Sequence, residues 1–464
     1  MTDQLAAAPT IDQRGVPASW LAQASRALPR YTSYPTALAF EPSDDEAEAR
    51  RWLSEVGADQ ALSVYVHVPF CKRLCWYCGC HTSVFHEYDR VRSFFETLKL
   101  EAGLWADALP DHAGAQHVHF GGGSPNALAP AHFAELVGLL KGRFAIRPDA
   151  EIAAELDPGL LTPEFIDAAA GAGVNRVSLG VQTLDDEVQK KVNRIQPFDR
   201  VATVTQRLRW AGVPAINFDL MYGLPGQTPE NVEASVRQAL TLRPDRVAVF
   251  GYAHVPWMKK QQVMIREAEL ADAQGRWDQA EAADEALVAA GYVRVGLDHY
   301  ALPGDPLVEA LGQGRLRRNF QGYTDDPAPV MIPIGPSSIG RLGRGFVQNQ
   351  VQAHHWGRAV EAGELPVARR LAVAAGDDLR AAVIERLMCD LAVDVAAVCT
   401  SHGVSPDALD ACLEDLRPLQ AEGLCRLDGR RVAIPEPARR LMRTVAACFD
   451  QRLSEGGRRH ARAV

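Results

Sequence analysis

The alternation of apolar and polar residues sets in at Leu62, where Val64, Val66 and Val68 alternate with Ser63, Tyr65 and His67. Period-two alternation over such a run predicts a strand with one buried face. Comparable runs recur at 117–121, 151–156, 176–181, 215–222 and 246–253, separated by stretches long enough for crossover helices. Two of those helices have clear starts, Thr162-Pro163-Glu164 and Thr228-Pro229-Glu230, each placing a capping hydroxyl before a proline at the first helical position. Regular strand–helix alternation implies a parallel sheet with right-handed crossovers, either an open doubly wound sheet or a barrel.

The two faces of these strands differ in kind. Glu151, Glu155 and Asp157 oppose Ile152, Ala154 and Leu156; Arg176, Ser178 and Gln182 oppose Val177, Leu179 and Val181; Asn217 and Asp219 oppose Phe218, Leu220 and Tyr222. The apolar faces should meet the helices and the polar faces should meet each other. A complete eight-stranded barrel fills its interior with branched apolar side chains. A polar interior implies water or a polar ligand instead, because unpaired buried polar groups are costly. The expectation is an α/β fold, a partial (β/α)6 barrel of about six strands.

Outside the barrel the pattern weakens. Residues 1–27, rich in Ala, Pro and Gln, predict a mobile leader, and Arg30 to Ala37 reads from its residues as a surface loop. A long helical stretch is expected over 264–290, Gly- and Pro-rich loops over 301–350, and mainly helix after about 360, with one helix starting at Ser405-Pro406-Asp407. A hairpin around Asp428-Gly429 completes a winged-helix-like order, which does not by itself give function. The predicted division is 1–55, a leader and substrate-covering segment; 56–300, the barrel; 301–360, a loop-rich extension closing the site; and 361–464, the helical domain.

Composition narrows the class. The chain has 464 residues, 47 % hydrophobic and 23 % charged, with a formal charge of -9, which argues against a general nucleic-acid or membrane-surface binder. Any anionic substrate must then be met by a few placed arginines, with Arg30, Arg317 and Arg318 as candidates. The first thirty residues lack the apolar core of a signal peptide, and no apolar run approaches a bilayer-spanning length. Nine cysteines, an odd number, suggest a reducing cytoplasm.

Four of those cysteines fall within ten residues. Cys71, Cys75 and Cys78 form CxxxCxxC just after the first strand, and Cys80 follows two residues later. The spacing is open to three readings: a zinc site, buried structural cysteines, or a [4Fe-4S] cluster, which with only three thiolates keeps one iron open. Gly121-Gly122-Gly123-Ser124-Pro125 ends the second strand; it lacks the lysine of a P-loop and lets the backbone approach a ligand closely. Glu155 and Asp157 admit a paired-carboxylate hydrolase, although Asp157-Pro158 reads more simply as a strand end, with Glu155 left to bind ligand. Arg194 reads equally as a solvated helix-end cation.

CxxxCxxC behind a strand, with Tyr77 before the third cysteine, resembles the radical S-adenosylmethionine enzymes, in which the open iron is chelated by S-adenosylmethionine and an electron from the cluster yields a 5′-deoxyadenosyl radical. The resemblance narrows along the chain. Arg30 to Ala37, Cys71 to Cys80, Gly121 to Pro125, Gly180-Val181-Gln182, Val192-Asn193-Arg194, Asp219 to Pro225, Tyr252-Ala253-His254, Arg318 to Thr324 and Gln348-Asn349-Gln350 resemble, in order, the oxygen-independent coproporphyrinogen III oxidases.

That resemblance implies oxidative decarboxylation of two propionates of coproporphyrinogen III to vinyl groups, giving protoporphyrinogen IX. It implies Cys71, Cys75 and Cys78 as cluster ligands; Tyr65, Tyr77, Gly122, Glu155 and Ile339 around a first S-adenosylmethionine; and Gly123, Ser124, Gln182, Arg194, Asp219 and Ala253 around a second. Tyr65 and Cys80 are expected to serve catalysis, Cys80 facing substrate without binding iron. A low-potential electron donor and an electron acceptor are implied partners, and a cytoplasmic monomer without nucleic-acid or membrane partners is expected. Ser124 stands where Thr is common, Tyr77 where Phe is frequent and His299-Tyr300 where His-Phe is usual, and Pro336 and Arg341 constrain the loop around Ile339. Two rival readings are a haem-delivering relative, which lacks the counterparts of Cys80 and of Arg30 to Ala37, and a non-catalytic iron–sulfur protein whose support is limited to arginines such as Arg439, Arg440, Arg443, Arg458 and Arg459.

Overall fold

Six strands stand where the alternation predicts them: β1 (Leu62–Val68), β2 (Ala115–Gly122), β3 (Glu151–Leu156), β4 (Arg176–Gln182), β5 (Ala215–Tyr222) and β6 (Arg246–Gly251). They pair in chain order, all parallel. This computed structural model describes residues 15–43 and 45–453. Val64, Val66 and Val68 of β1, Val177 and Leu179 of β4 and Ile216 and Phe218 of β5 are buried in one core with the crossover helices. The two capping hydroxyls act as expected: Thr162 accepts from Phe165 N–H ahead of helix Pro163–Gly171, and Thr228 forms a reciprocal capping box with Asn231 ahead of Pro229–Leu240.

The sheet extends beyond β6 and β1. Next to β6 lies an antiparallel pair, β7 (Val293–Val295) and β8 (His299–Ala301). On the other side β9 (Val330–Ile334) runs parallel to β1, followed by antiparallel β10 (Ile339–Leu342), β11 (Gly345–Asn349) and β12 (Val367–Ala372). The two-residue strand Glu41–Pro42 pairs antiparallel with β12 and brings the sheet to thirteen strands; among the described residues its first and last strands do not pair with each other, so the barrel is partial. Residues 301–350 are therefore strand-rich rather than a run of loops. Pro333 obscures β9 in the sequence, because proline normally demotes a strand; the β10 ladder reaches only Val330 and Met331, so Pro333 needs no donor there.

Other expectations shift. The leader is not mobile over its described part: helix Ala18–Ala24 docks through Trp20, 3 % exposed, whose indole N–H donates to the Glu422 carbonyl at 2.8 Å and whose ring lies 6.1 Å from Trp277. Residues 1–14 lie outside the described residues. Nor is Arg30 to Ala37 a surface loop, since Tyr31 and Tyr34 are buried and Tyr31 donates to Asp450 at 3.0 Å. The helix expected over 264–290 begins at Ala273, capped by Asp272. The helix expected at Ser405 begins at Asp410, because residues 406–409 form turns.

The C-terminal part keeps the predicted order, helices Ala375–Asp390, Val395–Ser401, Asp410–Asp415 and Arg417–Ala421 before the hairpin Arg426–Asp428 and Arg431–Ala433. A third short strand, Ala392–Asp394, joins that hairpin. No helix among the described residues is long and apolar enough to cross a membrane.

Candidate active site

The polar strand faces converge on one cavity of about 730 Å³, lined by Tyr77, Cys78 and Cys80 from the cysteine loop, by Glu155, Gln182, Asp219 and Ala253 from the strands and their ends, and by Arg30 from the N-terminal segment. On β1, the Tyr65 hydroxyl lies 3.1 Å from His67 Nδ1, and His67 Nε2 lies 2.8 Å from the His81 carbonyl. A carbonyl can only accept, so Nε2 carries the proton and Tyr65 donates to Nδ1. Burial pushes His67 down to about 4, keeping it neutral.

Opposite Tyr65, His119 Nε2 lies 2.9 Å from Glu155 Oε1. Burial alone would raise the Glu155 carboxyl, but the hydrogen bonds from His119 and from the Gly122 N–H hold it below the usual range. Asp219 goes the other way. Burial pushes it up to about 6, Glu155 repels its charge, and Ser178 Oγ at 2.7 Å and Asn217 Nδ2 at 2.8 Å donate to its two oxygens. Two carboxyls facing one cavity are thus set to different protonation behaviour by their surroundings.

The cysteine loop is pinned from outside. Gln261 donates to the Cys78 carbonyl at 2.6 Å, Gln262 to the Tyr77 carbonyl at 2.9 Å, Lys259 to the Cys80 carbonyl at 2.9 Å and Asn193 to the Leu74 carbonyl at 2.9 Å. Each of the three motif thiols also has a donor: Thr82 Oγ1 at 3.0 Å from Cys71, Arg194 Nη1 at 3.5 Å from Cys75, and the Cys80 N–H at 3.4 Å from Cys78. Hydrogen bonds to the sulfurs would tune a cluster bound through them. The donor set therefore fits a [4Fe-4S] cluster held by three thiolates.

The glycine turn closes against this loop. A Cβ on Gly123 would lie 2.7 Å from the Phe70 carbonyl oxygen and 2.8 Å from the Phe70 nitrogen, and one on Gly122, at φ +110°, would meet the His67 ring at 2.7 Å. Gln182 sits at φ +67°, beside the register shift that ends the β4 ladder, a backbone strain of the kind that gathers at ligand sites.

Several expected residues fall differently. Ser124 is buried and its hydroxyl engages Asn126 and the Asp157 N–H. Ile339 packs with Phe40, Phe346 and Leu371 in an apolar cluster apart from the cavity lining. Arg194 is no solvated cation: it is 8 % exposed, donates to the Gly180 carbonyl at 2.7 Å and lies 3.4 Å from Asp157. Arg317 is paired with Glu385 at 3.0 Å and lines a second cavity, of about 430 Å³. Its neighbour Arg318 is buried under the Tyr323 ring at 4.3 Å.

His119 and the pinning residues Lys259, Gln261 and Gln262 are not anticipated from the sequence. His119 could have been found, since it continues the polar stripe of its strand. The pinning residues could not, because short irregular turns carry no period.

Residues 65–239 match the Radical SAM superfamily and residues 373–441 the HemN C-terminal domain. An oxygen-independent coproporphyrinogen III oxidase of Bradyrhizobium diazoefficiens is 47 % identical over 94 % of this chain and 97 % of its own length. One of Salmonella typhimurium is 35 % identical over 93 % and 94 %. Among solved structures, coproporphyrinogen III oxidase (HemN) from Escherichia coli, described as a radical SAM enzyme, aligns with a TM-score of 0.88 at 33 % identity, over 91 % of this chain and 98 % of that one.

Proposed function

The chain belongs to the oxygen-independent coproporphyrinogen III oxidase family, and on that premise we propose that it converts two propionates of coproporphyrinogen III to vinyl groups, with loss of CO₂ from each, giving protoporphyrinogen IX. The observation that carries this reading is the cavity that joins the cysteine loop, Glu155 and Arg30. Each conversion removes one β-hydrogen, one CO₂ and one electron, so a low-potential donor and an electron acceptor act as partners.

Cys71, Cys75 and Cys78 would hold the cluster and leave one iron open for the amino and carboxylate groups of S-adenosylmethionine. When bound, the pair supplies the one-electron chemistry that generates a hydrogen-abstracting radical. Glu155, held ionised, would accept from a cationic or hydroxyl group of that cofactor, and Tyr65, fixed by His67, would wall it in beside Tyr77 and Gly122. A second molecule would meet Gly123, Gln182, Arg194, Asp219 and Ala253; with its hydroxyl engaged, Ser124 would contribute backbone only. Cys80, on the cavity wall, would face the substrate, whose carboxylates suit the guanidinium groups of Arg30 and Arg318.

We further propose a cytoplasmic monomer without nucleic-acid or membrane partners, in keeping with the net charge of -9. The division at residues 55, 300 and 360 is likewise proposed, the middle segment closing the site as an extension of the sheet. The test is an anaerobic assay of reconstituted protein with coproporphyrinogen III and S-adenosylmethionine, read by mass. Loss of two CO₂ and four hydrogens is expected, and recovery of unchanged substrate would overturn the assignment.

A further inference from the structure

Exposed apolar side chains gather on two short segments that flank the cysteine loop. Among the described residues Ile195, Trp257, Met258, Val263 and Met264 are each more than half exposed, Val263 at 69 % and Ile195 at 60 %. Only two other large apolar side chains, Leu100 and Trp210, are as open. Single exposed apolar residues are ordinary on a folded protein, but a group of them marks an interaction surface.

Both segments touch the loop that carries the three thiols. Lys259, Gln261 and Gln262 donate to the Cys80, Cys78 and Tyr77 carbonyls, so Val263 and Met264 follow directly on that contact. On the other segment the Ile195 carbonyl accepts from Arg73 Nη1 at 3.0 Å, and Arg73 stands between Cys71 and Cys75. Lys191 and Glu269, 2.8 Å apart, tie the two segments together. Beneath them Val188, Val192 and Ile265 pack with Trp76 and Tyr77 of the loop.

The charge here is opposite to that of the chain as a whole, which is -9. Lys72, Lys259 and Lys260 have no carboxylate partner among the described residues; Lys72 lies 4.0 Å over the Phe85 ring, and Lys259 reaches only the Cys80 carbonyl. The acids nearby are engaged, Glu187 by Lys190, Glu269 by Lys191 and Arg266, and Glu267 at 3.3 Å from His254.

We propose that this face docks a small acidic electron-carrier protein with a low-potential one-electron centre, which reduces the cluster. The proposal rests on the reading of a reducible cluster on Cys71, Cys75 and Cys78. One electron passes from the reduced carrier to the cluster; the carrier is left oxidised, and no bond or proton moves in that step. An apolar patch with lysines beside it suits a small, transient electron-transfer contact, and the lysines steer an acidic partner towards it. A second copy of this chain fits less well, because a two-fold contact would set these lysines against one another.

The test is anaerobic stopped-flow reduction of the reconstituted protein, followed at the cluster's visible absorption. Reduced plant-type [2Fe-2S] ferredoxin serves as the carrier, and dithionite as a reductant that needs no docking. Lys260→Glu and Val263→Asp, both at exposed positions, are expected to slow reduction by ferredoxin about tenfold or more and to leave reduction by dithionite within about twofold. The wild-type rate with ferredoxin should also fall as salt rises. Unchanged ferredoxin rates in both variants, a salt-independent rate, or a wild-type cluster that ferredoxin does not reduce would overturn the proposal. Equal slowing with both reductants overturns it too, since the segment would then only support the cluster. Sedimentation of a wild-type dimer that the variants break would assign the face to a second copy. Dialysis showing weaker coproporphyrinogen III binding, with ferredoxin rates unchanged, would assign it to substrate entry beside Met258, which also lines the main cavity; either result overturns the docking. The underlying reading fails separately: a wild-type cluster that dithionite reduces without cleaving S-adenosylmethionine would overturn the radical chemistry, whereas a failure of docking leaves dithionite-driven cleavage intact.

Discussion

Arg194 links the cysteine loop to the end of β4: its Nη1 lies 3.5 Å from the Cys75 sulfur while its Nη2 donates to the Gly180 carbonyl at 2.7 Å. A cation held beside a cluster ligand stabilises the reduced, more negative cluster, since net charge and hydrogen bonds to sulfur set the potential. Arg194→Gln keeps amide donors and removes the charge. Its cluster should load with iron normally but show a more negative midpoint potential in an EPR-monitored redox titration, with cleavage of S-adenosylmethionine slowed roughly tenfold or more. An unchanged potential would show that the guanidinium does not act on the cluster.

Cys80 lies in the same loop, two residues beyond Cys78. Its N–H reaches Cys78 at 3.4 Å, and its side chain lines the main cavity. A fourth thiolate ligand would block the iron that must stay open, so Cys80→Ser should keep full iron content and the cluster's visible absorption while losing porphyrinogen decarboxylation. Cys75→Ala should lose the absorption itself. A Cys80→Ser protein short of about a quarter of its iron, the share of one ligand in four, would make Cys80 a ligand.

Gly123 is a packing constraint as much as a binding one. Any Cβ there would fall 2.7 Å from the Phe70 carbonyl oxygen and 2.8 Å from Thr82 Oγ1, so Gly123→Ala must push the turn off the strand that leads into Cys71. We expect a loss of stability of about 1–3 kcal/mol, as for other overpacked sites, together with weakened S-adenosylmethionine binding. Urea denaturation and dialysis read the two effects separately, and a variant with wild-type values in both would remove the turn from the site.

What the sequence made legible follows from periodicity and capping. The six parallel strands and the two Thr-Pro helix starts carry a repeating pattern, and Glu155, Asp219 and Gln182 could be placed on the inner face because the period is two. The β9 strand was hidden by Pro333, and the docking of Trp20 onto Trp277 and Glu422 depends on partners more than 250 residues away, which no local pattern encodes. Arg317 and Arg318 are adjacent on a strand and so point to opposite faces: Arg317 pairs with Glu385 and Arg318 lies against the Tyr323 ring, while both line the cavity of about 430 Å³.

His67 gives a prediction whose sign is fixed by burial. In the folded chain burial holds it near 4, against an ordinary value of 6.5. Between those two values the unfolded chain binds more protons than the folded one, so this histidine makes stability rise with pH across the window and fall as the pH drops through it. The full effect is about 3 kcal/mol. Asp219 acts oppositely in an overlapping range, because its folded-state carboxyl is raised to about 6 and binds a proton that the unfolded chain releases. The two are separated by comparing cluster-free wild type with His67→Gln, whose amide can still donate to the His81 carbonyl and accept from Tyr65. The stability difference between them, from urea midpoints, should shrink or reverse by about 2–3 kcal/mol on going from pH 7 to pH 4.5. Parallel curves would mean that His67 does not stay neutral in the fold, and that the proton donated by Tyr65 has another acceptor.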